Sequence, residues 1–232
     1  MATTERKIRE TQARTLSQRE RILDAASRIV VREGFAALSM RKLADAIGYS
    51  PASLYLYFEG RDEIAEALGR EGYMQLLAHL EPYAQEADAR ERLHALAHAY
   101  VAFGCGHPQT YELIFMARKG RSGQVGPPER RARGTAGVPD APHEHADDAC
   151  GVQLFAATLS ELTLASGARA DCALLAQALL ATLHGAVMLT LARADFATAA
   201  PGPVIDAALD AWFGTRAAPG APRAAKTPDA TP

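Results

Sequence analysis

Between Gly48 and Phe58 the chain reads GYSPASLYLYF, a run in which small residues, hydroxyls and apolar anchors are interleaved. On a helix over Pro51–Phe58, Leu54 and Phe58 stand four residues apart and turn inward against Ile22, Ile29, Leu43 and Ile47, leaving Ala52, Ser53, Tyr55 and Tyr57 on other faces. Small residues at the start of such a helix permit close approach to a major groove, and hydroxyls along its side donate to phosphate oxygens. The chemistry on offer is recognition rather than bond making. Nothing in the chain matches G-x-S-x-G, H-E-x-x-H, a phosphate loop or a dinucleotide fingerprint, so no catalytic residue, cofactor or metal is assigned and an enzyme is not expected. His143 and His145, followed by Asp147 and Asp148, have a metal-like spacing but lie in a stretch rich in Gly, Pro and charge, and read as a solvated cluster. Cys105, Cys150 and Cys172 are odd in number, widely spaced and without a C-x-x-C pair, which suits buried thiols better than disulfides or a zinc ribbon.

The elements that must position this run are helices. Alanine is abundant, aromatics make up 6% of the 232 residues, and runs of alternating β-branched residues are scarce. Ser17 with Glu20 three residues on forms a capping box, after which Ile22, Ala25, Ala26, Ile29 and Val30 share one face until Gly34. Ser39 caps a second helix, with Leu38 and Leu43 placed to form a hydrophobic staple, and Gly48 ends it after about two turns. Ser50 caps the next and Pro51 takes its first position. Two short helices around a glycine turn make a helix-turn-helix. A fourth helix is expected from Arg61 to about Leu80, then others over 89–107, 108–118, 147–166, 171–194 and 203–215. Residues 1–16 read as a flexible basic arm, 119–146 as a mobile loop and 217–232 as a disordered tail.

The charge is unevenly shared. Residues 1–62 hold 11 Lys/Arg against 8 Asp/Glu, a net +3, while the remainder carries −5 of the overall −2. A basic front and an acidic back suit a molecule whose front alone meets phosphate. With no secretory signal and no run of about 18 consecutive apolar residues, the expected location is the cytoplasm, with no membrane partner.

The segment 19–68 resembles the DNA-binding domain of the TetR/AcrR family of transcriptional regulators, with that family's G-[hydrophobic]-S-x-x-[ST]-L-Y-x-[HY]-F core at 48–58. The resemblance implies phosphate contacts from Ser39, Ser50, Tyr55 and Tyr57, base or groove contacts from Arg41, Lys42, Ala52 and Ser53, and a phosphate-facing cation at Arg61, where the family often has Lys. Gly60 replaces the commoner Ser or Asn cap of the fourth helix. Further on, Ala99–Phe103, His107–Phe115 and Leu183-His184-Gly185 resemble the family's C-terminal domain named for a Trp-His-Gly motif; the Trp is absent, its place falling near Ala181 or Thr182.

The architecture expected is all-α: a helix-turn-helix DNA-binding domain over 17–77, then a larger helical ligand-binding and dimerisation domain over 78–216. Tyr100, Phe103, Tyr111, Phe115, Met116, Phe155, Leu159, Leu183, His184 and Met188 are candidates to line a pocket for a small apolar effector, with His184 also readable as a hydrogen-bonded core histidine. Ile205, Ala208, Leu209 and Trp212 recur at i, i+3, i+4 and i+7, and Ala173, Ala176, Ala181 and Gly185 are small; together they are expected to form the homodimer interface. The function expected is a sequence-specific regulator, in all expectation a repressor, with double-stranded DNA carrying an inverted repeat as its partner. The alternatives are an activator or dual regulator, or a DNA-organising protein without an effector.

Overall fold

The computed structural model describes the backbone of residues 2–122, 146–162, 171–192 and 199–214, and side chains from residue 13 onward except 116–150 within those spans. Nine α-helices and two 3-10 turns, with no strand, make up the described residues. They are α1 (Ala2–Glu33), α2 (Met40–Ile47), α3 (Pro51–Leu54), α4 (Arg61–Leu80), α5 (Ala89–Gly106), α6 (Pro108–Ser122), α7 (Ala146–Ser160), α8 (Cys172–Leu191) and α9 (Pro201–Phe213).

Helix α1 corrects the expectation of a helix start at Ser17, because the stretch read as an arm over 1–16 is already helical from Ala2. The physical reason is compositional: no Gly or Pro interrupts residues 2–33, and Glu, Arg, Lys, Gln and Ala all favour helix. Gly34, at φ 81°, stops it. Ser39 caps α2 by accepting from the Lys42 N–H, and Leu38 and Leu43 are both buried beside that start, as a staple requires. Gly48 closes α2 at φ 72°, in the left-handed region where a side chain would be strained. Helix α3 is shorter than expected, one turn only, and residues 55–57 continue as a turn held by Tyr57 N–H to Leu54 C=O at 2.9 Å and Phe58 N–H to Leu54 C=O at 3.0 Å. Helices α6 and α7 reach Ser122 and Ala146, so they extend into the ends of the expected loop; its middle, 123–145, and the tail lie outside the described residues.

Two apolar cores result. The first gathers Ile22, Ile29, Leu43, Leu54, Phe58, Ile64 and Leu68 from α1–α4. The second gathers Leu76 and Leu80 of α4 with α5, α7, α8 and α9. The expected boundary at 77/78 thus falls inside α4, which belongs to both. Helix α6 is shared too: Tyr111 is buried in the second core and Leu113, two residues on and just over half a turn round the helix, in the first. At Gly72 a Cβ would stand 2.7 Å from Thr110 Cγ2, so α4 and α6 touch closely.

Candidate nucleic-acid interface and buried polar chain

The reading surface comes from α2, α3 and the turn after it. Arg41, Ser50, Ala52, Tyr55 and Leu56 are exposed, Tyr55 by 57% and Leu56 by 80%, while Leu54 and Phe58 between them are sealed in the core. One turn of helix therefore presents a hydroxyl, a methyl group and an apolar side chain from a backbone fixed by two buried anchors. Ser50 accepts from the Ser53 N–H, and the two hydroxyls are 2.8 Å apart. One hydroxyl proton is used between the two, which leaves one to donate to a phosphate oxygen.

Three cations and one tyrosine are placed differently from a simple groove-facing arrangement. Lys42 is ion-paired with Glu33, whose carboxyl is held below the usual range by that hydrogen bond. Arg61 is half-buried with its guanidinium over the Phe35 ring, 4.0 Å from the centroid. Tyr57 is half-buried against the first core, in contrast to Tyr55. Arg19, which the sequence reading left unassigned, organises the turn: its guanidinium lies 4.0 Å over Phe58, donates to the Tyr57 carbonyl and pairs with Glu63 at 2.9 Å. Glu63 in turn accepts from the Glu59 N–H at 2.6 Å, which supports the α4 start that Gly60 leaves without a side-chain cap. Its signal in sequence was faint, since the pairing spans 44 residues. Leu56 was also missed; it is the apolar residue of 51–58 out of phase with Leu54 and Phe58, and its exposure suits a thymine methyl.

In the second core, several expected pocket residues do come together. Tyr100 Oη is 3.0 Å from Tyr111 Oη, which is 2.8 Å from His184 Nδ1. Phe115 lies 4.3 Å from the His184 ring and Phe155 meets Tyr100 edge-on. Burial pushes the Tyr111 phenol far up and the His184 imidazolium down, so the hydrogen bond between them joins two neutral groups. Leu159 and Leu183 are buried in the same core, and Phe103 is buried with its ring against His107 and His79. Met188 corrects the expectation: it is 46% exposed on the outer side of α8, four residues beyond His184, and lines no interior. The Met116 side chain lies outside the described residues.

The expected dimer stripe needs a larger correction. Ile205 and Leu209 are buried in the chain's own core, as is Ala176, because that stripe is the side of α9 that packs on α5 and α8. Trp212 and Ala208 are half-buried, the former against the same core. Ala173 and Ala181 are exposed and Gly185 half-exposed, on α8's outer side with Leu174, Ala178 and Met188. Helix α8 is long and apolar enough to cross a membrane by length and composition, yet only 22% of that stretch is buried.

Residues 22–68 match the family model described as bacterial regulatory proteins, tetR family, and residues 93–212, more than half of the chain, match the tetracycline repressor-like C-terminal domain. An HTH-type transcriptional regulator of Haemophilus influenzae is 37% identical over 62 residues, 27% of this chain and 33% of that protein. The nicotine-responsive transcriptional repressor HdnoR of Paenarthrobacter nicotinovorans is 30% identical over 84 residues, 36% of this chain and 42% of its own. The chain thus spans well under half the length of these relatives. Among solved structures, a protein from Rhodococcus sp. RHA1 is 27% identical with a TM-score of 0.58, covering 83% of this chain and 90% of that one.

Proposed function

From the premise that this chain belongs to the TetR family of bacterial regulatory proteins, helix-turn-helix regulators of transcription, we propose that it is a repressor. It binds an inverted-repeat operator as a homodimer in the cytoplasm and is released by a small, neutral, apolar ligand. The observation that carries this reading is on α6, where Tyr111 and Leu113 face different cores. A ligand that displaces Phe115 or the Tyr100–Tyr111–His184 chain must move α6. That motion reaches the DNA-reading core through Leu113 and through the close α4–α6 contact at Gly72. The surroundings are apolar with three hydrogen-bonding groups, which suits an aromatic or lipid-like molecule better than a charged metabolite. One short reading turn contacts few base pairs, so two heads on successive major grooves about 34–36 Å apart are needed for specificity.

Selection of bound duplexes from a random pool gives the operator, and a thermal-shift screen of neutral aromatic and fatty compounds gives ligands. Compounds that raise the melting temperature are expected to weaken operator affinity, and operator to weaken theirs by the same factor. Tyr55→Ala is expected to cost about tenfold or more in binding to all sequences alike. Stabilising compounds that leave DNA affinity unchanged would remove the ligand-release step, and tight binding by Tyr55→Ala would remove the assigned reading face.

A further inference from the structure

His94 and His98 stand one turn apart on α5, on the side that meets α9, and Asp206 of α9 reaches both. The carboxylate Oδ1 is 3.0 Å from His94 Nδ1 and 2.8 Å from His98 Nε2. All three ligand atoms lie within 4.8 Å of one another. We propose that His94, His98 and Asp206 form a binding site for a divalent transition-metal ion of the zinc, cobalt or nickel kind, fastening α9 to α5 and separate from the Tyr100–Tyr111–His184 chain.

The donor set is two imidazole nitrogens and one carboxylate oxygen, which matches borderline divalent ions and suits calcium or magnesium poorly. Tetrahedral bonds of about 2.0–2.1 Å place ligand atoms about 3.3 Å apart, so each nitrogen–oxygen separation has to widen by a few tenths of an ångström, and the two nitrogens, within 4.8 Å of each other, have to settle at a similar spacing. Its exposure is graded. His94 is buried, whereas His98 and Asp206 are half-exposed, which leaves an entry path and a fourth position for water. Packing supports the ring positions: a Cβ at Gly202, in the first turn of α9, would stand 3.3 Å from His98 Cε1, so the glycine lets the imidazole lie against that turn. The sequence signal was the His94-x-x-x-His98 spacing, which puts two imidazoles on one helix face; the third ligand lies 108 residues beyond His98 and was invisible until α9 was placed. The competing role is a hydrogen-bonded pin between the two helices with no metal.

The test uses the full-length chain stripped with a chelator and titrated with Co2+, then Zn2+. In a background carrying His143→Gln and His145→Gln, which removes the other His pair, the expected result is about one equivalent of Co2+ per chain with visible absorption of a low-symmetry site. Zn2+ is expected to displace it and to raise the melting temperature. His98→Gln, at a half-exposed position, is expected to weaken binding by about tenfold or more and abolish the thermal shift, with an unchanged helical spectrum. Asp206→Asn, which keeps the size, is expected to do likewise. Cobalt-shifted proton resonances from two imidazoles in the unmutated triad provide a reading that needs no ligand variant. No cobalt uptake at micromolar concentration, equal affinity in His98→Gln, or shifted signals from fewer than two imidazoles would each overturn the proposal and leave the triad as a helix pin.

Discussion

The imidazole of His184 lies 4.3 Å from Phe115 and is hydrogen-bonded to Tyr111, and burial lowers its proton affinity in the folded chain. An unfolded histidine titrates near pH 6.5, so below that value the unfolded state takes up a proton that the folded state resists. Stability from this group is therefore present above about pH 6.5 and lost as the pH falls toward the folded value. Denaturant melts of the wild type are expected to show a larger loss between about pH 7.5 and 5.5 than melts of His184→Gln, which keeps an acceptor without titrating. Parallel curves would take His184 out of the pH response. At this scale the sequence was informative where a residue's neighbours are local. Leu54 and Phe58 are inward and Tyr55 outward as their spacing requires. It failed for Lys42, whose partner Glu33 is reached only after Gly34 turns the chain back, and for Arg19, whose partners arrive with α4.

Helix stops and caps were legible because each depends on a few adjacent residues: Gly34, Gly48, Ser39 and the Ser50-Pro51 pair all act where expected. The start of α1 was not, because a polar segment without a breaker carries no mark saying where helix begins. The α9 stripe was right in phase and wrong in partner. Periodicity identifies an apolar side; it does not say whose core that side enters. Close helix crossings were also hidden, since a glycine inside a helix is ambiguous until its neighbour is known. At Gly104 a Cβ would stand 2.8 Å from both γ-carbons of Val187 and 3.0 Å from Tyr111 Cδ2, so α5 meets α8 and α6 there. Val187 is β-branched and cannot swing away cheaply. Overpacking of about 1–3 kcal/mol outweighs the helix-propensity gain of about 1 kcal/mol, and Gly104→Ala is expected to lose about 1–2 kcal/mol in chemical denaturation. A variant as stable as wild type would show that the crossing can spread without cost.

At the scale of the molecule, the outer side of α8 leaves apolar side chains exposed among the described residues. Leu174 is 65% exposed and Leu189 39%, Val204 of α9 is 45% exposed, and Ala207 and Ala211 lie exposed along the same helix. Apolar surface of this kind costs roughly 25 cal/mol per Å² to leave in water, and a contiguous patch marks an interface. A bilayer and a second copy of the chain are two ways to cover it. Between Leu174 and Met188 the stripe narrows to Ala178, Ala181 and Gly185, and a Cβ at Gly185 would meet nothing within 4 Å. Small residues flanked by larger ones allow another helix to approach closely, which a lipid surface does not require. On the proposed homodimer reading, two helices per subunit, α8 and α9, would make an isologous four-helix contact. Met188→Asp places a charge at the edge of that contact without touching either buried core. It is expected to shift the chain from dimer to monomer in light scattering at micromolar concentration, and to cost operator affinity as well, since each half-site would then be bound by a separate subunit. A dimer of unchanged stability in this variant would move the interface elsewhere, while unaltered DNA binding by a demonstrated monomer would separate operator recognition from dimerisation.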